Sequence, residues 1–104
     1  MVQALDPAGL RALLDSPAPP QLVDVRSAAE VVRGAIAGAR NIELATLPAR
    51  IGELDADAPC VLYCLSGARS AQGCAWLAQR GFRRLYHLDG GLAAWTKAGL
   101  PVTA

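Results

Sequence analysis

The sequence has one histidine, His87, one lysine, Lys97, and only three cysteines, Cys60, Cys64 and Cys74, in 104 residues. Three cysteines, odd in number and sparse, do not form the dense even framework of a small secreted scaffold, so a reducing compartment, the cytoplasm, is expected. Tetrahedral zinc needs four converging ligands. Here no C-x-x-C spacing occurs and the single histidine stands far along the chain, so neither a metal nor a cofactor is expected. No apolar run approaches the ~18 residues of a membrane span, and residues 1–10 lack a basic segment followed by an apolar one, so no secretory leader is expected. The formal net charge is only +1, which supplies no electrostatic footprint for nucleic acid or for an acidic membrane surface. What is present is a 53% hydrophobic, 18% charged composition, enough to bury a core without staples. One domain over residues 1–104 is expected.

The order of local signals predicts strands alternating with helices. Val2 to Leu5 reads as a first strand. Asp6-Pro7 offers an N-cap and a first-turn proline for a helix through about Leu14. Gln21 to Val25 reads as a buried strand. Ser27 caps a short helix from Ala28 to Arg33 that stops at Gly34. Arg40 to Ile42 is a short strand, and Leu44 to Leu54 a helix interrupted by Pro48. Cys60 to Tyr63 is an uninterrupted apolar strand of the kind covered on both faces. A turn from Cys64 to Arg69 leads into a helix predicted over Ser70 to Arg80 and closed by Gly81. Its apolar stripe is expected at Ala71, Cys74, Ala75 and Ala78, with Leu77 at the margin and Trp76 partly exposed. Leu85 to Leu88 is a strand, and Leu92 to Lys97 a helix ending at Gly99. The pattern is an α/β domain with a mainly parallel sheet.

The chemistry concentrates in Tyr63-Cys64-Leu65-Ser66-Gly67-Ala68-Arg69-Ser70. A cysteine at the C-terminal end of a buried strand faces the crevice where α/β folds bind ligands. The turn runs into a helix N-terminus, so backbone N–H groups from Leu65 to Ser70 are expected to converge on the sulfur, with the helix dipole behind them. Gly67 permits the backbone conformation such a cradle needs. Arg69 adds a positive charge or braces the loop. Such a setting favours the thiolate, or the anion of a persulfide, without an adjacent base. The spacing is C-x4-R. Cysteine-loop phosphatases and arsenate reductases use the wider C-x5-R, sized for a tetrahedral oxyanion. The shorter ring suits a single transferred sulfur.

These segments resemble the rhodanese-like family. Leu22 to Arg26 resembles the family's D-V-R strand, with Glu30 in the usual acidic place, and Gly34 to Ile42 resembles its G-H-I-P-G-A-x-N-I segment. Cys64 to Ser70 matches C-x-x-G-x-R-S. Gly81-Phe82, Leu88 to Gly91, Trp95 and Gly99 to Val102 match the closing signature. The resemblance implies a three-layer fold with a five-stranded parallel sheet flanked by helices. It also implies movement of sulfane sulfur from a donor such as thiosulfate or a persulfide to cyanide or a thiol. Cys64 is then the persulfide-forming nucleophile. Leu65, Ser66, Gly67, Ala68, Arg69 and Ser70 form the anion cradle, and Arg69 and Ser70 order it. Asp24 and Arg26 are supports, or an ion pair with no bearing on the sulfur. The loop is closer to the thiosulfate type than to the C-G-[SA]-G-V-T loop of mercaptopyruvate-type members.

Two departures stand out. Ala35 replaces a common histidine, with modest consequences expected, and Leu65 replaces a position often basic in thiosulfate users. The second weakens the case for a doubly charged donor and favours a thiol persulfide or a protein donor. Two other readings remain open: a sulfur carrier passing its cargo to a protein such as a thioredoxin-like one, and a phosphatase or arsenate reductase. Cys60 and Cys74 are expected in the core, as are Phe82 and Trp95. His87 is expected to be hydrogen-bonded at a strand end, and Arg83-Arg84 to form a surface feature.

Overall fold

In the computed structural model, which describes residues 2–103, five strands follow the predicted order: β1 Val2–Leu5, β2 Gln21–Asp24, β3 Arg40–Asn41, β4 Cys60–Tyr63 and β5 Leu85–Leu88. All pair in parallel, in the spatial order β1-β5-β4-β2-β3. The helices are α1 Pro7–Leu14, α2 Ala28–Val31, α3 Leu47–Arg50, α4 Ala68–Ala78 and α5 Gly91–Lys97. They cover both faces of the sheet, as the α/β reading requires.

Alternation along the central strand sets the layers. Cys60 and Leu62 of β4 join Val23, Leu47, Cys74, Leu77 and Leu85 in one core, between the sheet and the α3–α4 side. Val61 and Tyr63 join Leu10, Leu22, Leu88, Leu92 and Trp95 in the other, beneath α1 and α5. Side chains on a strand alternate with period two, so a strand covered twice has no polar position. Every residue of β4 is buried. Cys64 continues the parity of Cys60 and Leu62 and belongs to the core on the α4 side. Strand parity therefore puts its sulfur beneath the start of α4.

Several boundaries are set by identifiable caps. The Asp6 carboxylate accepts from the Gly9 amide at 2.7 Å, with Pro7 opening α1. Ser27 and Glu30 form a reciprocal capping box on α2, which ends at Val31 rather than Arg33. The stretch Leu44 to Leu54 is not one helix interrupted by Pro48. It is a 3-10 turn at Leu44–Thr46, then α3, then a second 3-10 turn at Ile51–Glu53. Pro48 lies in the first turn of α3, where its missing N–H costs no bond.

The helix after the cysteine turn differs from expectation in start and in face. α4 begins at Ala68, not Ser70, because Gly67 takes φ +106° at its N-cap and lets the chain enter the helix at once. Arg69 and Ser70 thus stand on its first turn. The face against the sheet is Ser70, Gly73, Cys74 and Leu77, whereas Ala71 and Ala75 are exposed. Gly73 sets this rotation: a Cβ there would lie 2.7 Å from Leu62 Cδ2 and 3.3 Å from Leu44 Cδ1. Small residues let α4 approach closely, so the apolar stripe expected from alanines misplaced the contact. Trp76 is half-buried, with the Arg80 guanidinium 4.4 Å above its ring.

Phe82 and Trp95 are core residues, and Trp95 Nε1 donates to the Pro101 carbonyl at 2.9 Å. Arg83 and Arg84 lie at the surface beside Asp57. Ala35 exchanges backbone hydrogen bonds with Thr103, both at 2.8 Å. His87 departs from the expected hydrogen-bonded histidine: its Nδ1 is buried without a partner among the described residues. In register it stands between Ala4 and Leu62, neither of which offers a polar side chain. No helix among the described residues is long and apolar enough to cross a membrane.

Candidate active site

The turn between β4 and α4 folds around the Cys64 sulfur. The Gly67 amide donates to Sγ at 3.1 Å and the Ser70 amide at 3.4 Å, and Ser70 Oγ lies 3.7 Å away. The Ser70 hydroxyl in turn donates to the Gly67 carbonyl at 3.1 Å, closing the turn on itself. Burial by itself would raise the thiol pKa. The Ser70 and Gly67 amides, then the Ser70 hydroxyl and the Ser66 backbone, outweigh it, and the group is held below its ordinary value. Cys60 and Cys74 make the contrast, since burial pushes each up to about 12 and the second is raised further by the first. One thiol of three is therefore shifted toward the thiolate, and its position rather than its residue type decides which.

Of the six cradle residues expected from the sequence, Gly67 and Ser70 bond the bare sulfur directly. The Ala68 and Arg69 amides belong to the first turn of α4, where helical geometry provides no carbonyl partner. Leu65 and Ser66 are exposed at the mouth, Leu65 by 47%, while Cys64 itself is only 1% exposed.

Arg69 does not point its charge into the cradle as a ligand. It donates to both carboxylate oxygens of Glu30, at 2.7 and 3.0 Å, and so fastens the first turn of α4 to α2. That contact, opposed by partial burial and reinforced by the Ser27 amide, lowers the Glu30 carboxyl to about 2. The acidic residue noted in the sequence thus acquires a position in the site.

Asp24 and Arg26 are fully buried and paired, with Arg26 Nη2 2.7 Å from Asp24 Oδ2 and Nε bonded to both oxygens. The same Nη2 donates to the Gly34 carbonyl at 2.7 Å, and the guanidinium lies 5.9 Å from the centre of the Tyr63 ring. Asn41 ties in the backbone carbonyls of both residues at 2.9 Å. None of these bonds reaches the Cys64 loop. The pair holds the segment entering α2, and with it the base on which Glu30 stands.

Sequence reasoning overlooked what α5 does. The Leu92 amide donates to the Cys64 carbonyl at 2.8 Å and the Ala93 amide to the Leu65 carbonyl at 3.0 Å. Two first-turn donors thus fix the backbone that carries the cysteine. Gly91 makes that approach possible, with φ +60° and a would-be Cβ only 2.4 Å from the Leu65 carbonyl carbon and oxygen. The signal was present in the Gly90-Gly91 pair at a helix start, which is unexplained by a turn alone.

Comparison with known proteins agrees with this fold. The family model described as "Rhodanese-like domain" matches residues 6–98. A sulfurtransferase from Allochromatium vinosum is 40% identical over 104 residues, covering 100% of this chain and 97% of that protein. The thiosulfate sulfurtransferase GlpE of Shewanella oneidensis is 38% identical over 78 residues, covering 75% of this chain and 77% of its own length. Among solved structures, a rhodanese-related protein from Thermoplasma volcanium superposes with a TM-score of 0.88 at 28% identity, covering 97% of each chain.

Proposed function

The chain belongs to the rhodanese-like domain family, and from that premise we propose that it is a sulfurtransferase working through a persulfide on Cys64. In the first half-reaction the Cys64 thiolate attacks the outer sulfur of a donor. With thiosulfate, the S–S bond breaks, sulfite leaves with the electron pair, and Cys64 becomes a persulfide anion. In the second, a thiolate or cyanide attacks the terminal sulfur, and the Cys64 thiolate departs. No proton transfer is needed in either half, which fits a site where no histidine or carboxylate among the described residues is bonded to the sulfur.

The observation that carries the reading is the pair of amides on Sγ, from Gly67 and Ser70. Fixed dipoles of this kind stabilise whichever sulfur anion is present. In the persulfide, the first-turn amides of Ala68 and Arg69 are the donors left for the outer sulfur. Arg69 acts through Glu30 as a positioning residue, and Asp24 and Arg26 hold the neighbouring segment.

The test is incubation with thiosulfate and cyanide, following thiocyanate, together with mass spectrometry of the intact protein. Turnover and a one-sulfur mass increase on Cys64, both lost in Cys64→Ala, are expected. Absence of both across thiosulfate and organic persulfide donors overturns the reading.

A second reading, a sulfur carrier serving a protein such as a thioredoxin-like acceptor, draws on the exposed Leu65 at the mouth of the loop. Copurification of a partner with poor small-molecule turnover favours it. A cytoplasmic setting accords with either reading, since both need reduced thiols.

A further inference from the structure

A groove of about 340 Å³ opens beside the cysteine loop, lined by Glu30, Arg33, Leu65, Leu92, Thr96 and Val102, with Arg26 and Gly34 at its base. It adjoins the loop directly: Leu65 follows Cys64 in the chain, and the Leu92 amide holds the Cys64 carbonyl. Its size suits a small organic molecule and exceeds what a bare inorganic anion fills.

Its charges are almost all spent. Arg26 is neutralised by Asp24 and Glu30 by Arg69. Arg33, exposed on the turn that ends α2, has no ion-pair or hydrogen-bond partner among the described residues. The groove therefore offers three apolar side chains, Leu65, Leu92 and Val102, and a single uncompensated cation. Leu65 and Val102 are two of the three large hydrophobic residues left exposed among the described residues. A doubly charged inorganic donor meets one cation here and gains nothing from the apolar walls. An aliphatic chain gains with each methylene it buries, and one carboxylate at its end meets Arg33.

We propose that this groove binds an aliphatic thiol carrying a single carboxylate, as the acceptor of the sulfur held on Cys64, with the chain against Leu65, Leu92 and Val102 and the carboxylate on Arg33. The inference rests on Cys64 being the sulfur carrier. The bound thiolate attacks the terminal sulfur of the persulfide. The bond between the two persulfide sulfurs breaks, Cys64 leaves as a thiolate, and the acceptor departs as its own persulfide anion. Charge is conserved and no oxidant is consumed.

The test compares 4-mercaptobutanoate with its primary amide as acceptors from Cys64 persulfide loaded with thiosulfate. Loss of the extra sulfur is followed by mass spectrometry at low ionic strength, with rates expressed per thiolate. The carboxylate is expected to react about fivefold faster, the effect of an exposed ion pair. That ratio falls to about one in Arg33→Ala, drops below one in Arg33→Glu and survives in Arg33→Lys. A ratio near one in the unaltered protein, or one unchanged in Arg33→Ala, overturns the proposal.

Binding is measured separately with Cys64→Ala, by titrating 4-mercaptobutanoate and following the methyl resonances of Leu65, Leu92 and Val102. Saturable shifts that vanish when Arg33→Glu is added to Cys64→Ala support the groove even if Cys64 never accepts sulfur, an outcome that sinks only the transfer reading. A persulfide that loads normally, with no shifts and no carboxylate preference, sinks the groove alone. Preference for a protein thiol, with no response to 4-mercaptobutanoate, also overturns it.

Discussion

Arg69 and Glu30, 39 residues apart in the chain, meet in a two-bonded contact at 2.7 and 3.0 Å that clasps the cysteine loop to the opposite side of the site. Both side chains are about one-third exposed, 37% and 34%. The contact is therefore worth little to global stability, at most about 1 kcal/mol, and much to geometry. Arg69→Ala is expected to lower the melting temperature by a few degrees at most, yet to reduce kcat/KM for sulfur transfer by about tenfold or more. Arg69→Lys restores it only in part, because an ammonium does not reproduce the two-pronged contact. Thermal melts and steady-state rates on the same preparations check this.

The same contact has a pH signature. The Glu30 carboxyl is lowered from 4.5 to about 2, so the unfolded chain binds its proton first as pH falls. The stabilisation is fully present above the unfolded value and is lost as pH falls from there through about 2. Urea titrations between pH 6 and about 2.5 are expected to show a steeper loss of stability in the parent than in Glu30→Gln. Parallel curves contradict it.

The three thiols are expected to separate by reactivity. Cys64 is held below the ordinary thiol value, while Cys60 and Cys74 are pushed up to about 12. At neutral pH a small alkylating reagent should modify Cys64 on the order of 100-fold faster than either of the others in the native protein. Ser70 Oγ lies 3.7 Å from Sγ and supports the anion when its proton turns from the Gly67 carbonyl to the sulfur, so the pH midpoint for alkylation of Cys64 is expected to move upward in Ser70→Ala. Peptide mapping across pH reads both effects.

Gly91→Ala should be costly for two reasons at once, a φ of +60° and a Cβ 2.4 Å from the Leu65 backbone. A loss of about 2 kcal/mol or more is expected. The reactivity of Cys64 should change with it, since the loop must move. Gly99, at φ +81° with nothing within 4 Å of a Cβ, is the control: Gly99→Ala should cost about 1 kcal/mol and leave Cys64 alkylation unaltered. Urea unfolding and alkylation rates together separate backbone strain from the collision.

Breaking the buried Asp24–Arg26 pair should cost about 3–5 kcal/mol in either Arg26→Ala or Asp24→Asn, because one charge is left without its partner. The combined Asp24→Leu, Arg26→Met variant is expected to regain part of that loss. It does not regain all, since the Gly34 carbonyl and the Arg26 amide lose bonds that this pair supplies. Equilibrium unfolding of the three variants tests the order.

Much of this architecture was legible because it is local. The strand Cys60–Tyr63 showed as an unbroken apolar run, and the Ser27 and Asp6 caps showed as residue types with fixed offsets. Cys64, Gly67 and Ser70 are neighbours in sequence, so the cradle could be built from chain order alone. The face of α4 was not legible. Ser70 and Gly73 count as polar or neutral in any hydrophobic pattern, and only the closeness of Leu62 and Leu44 makes them the contact surface.

What the sequence by itself determined was the alternation of strands and helices, the cysteine at a strand end, and the glycine that lets the turn close on a sulfur. These depend on period, propensity and spacing over fewer than ten residues. The tertiary structure alone decided what Arg69 holds, why Gly91 lacks a side chain, and that Arg33, with no partner among the described residues, stands beside Leu65. Those are relations between segments separated by tens of residues, set by how close two backbones come and by which charges find partners. Local pattern carries no information about either distance.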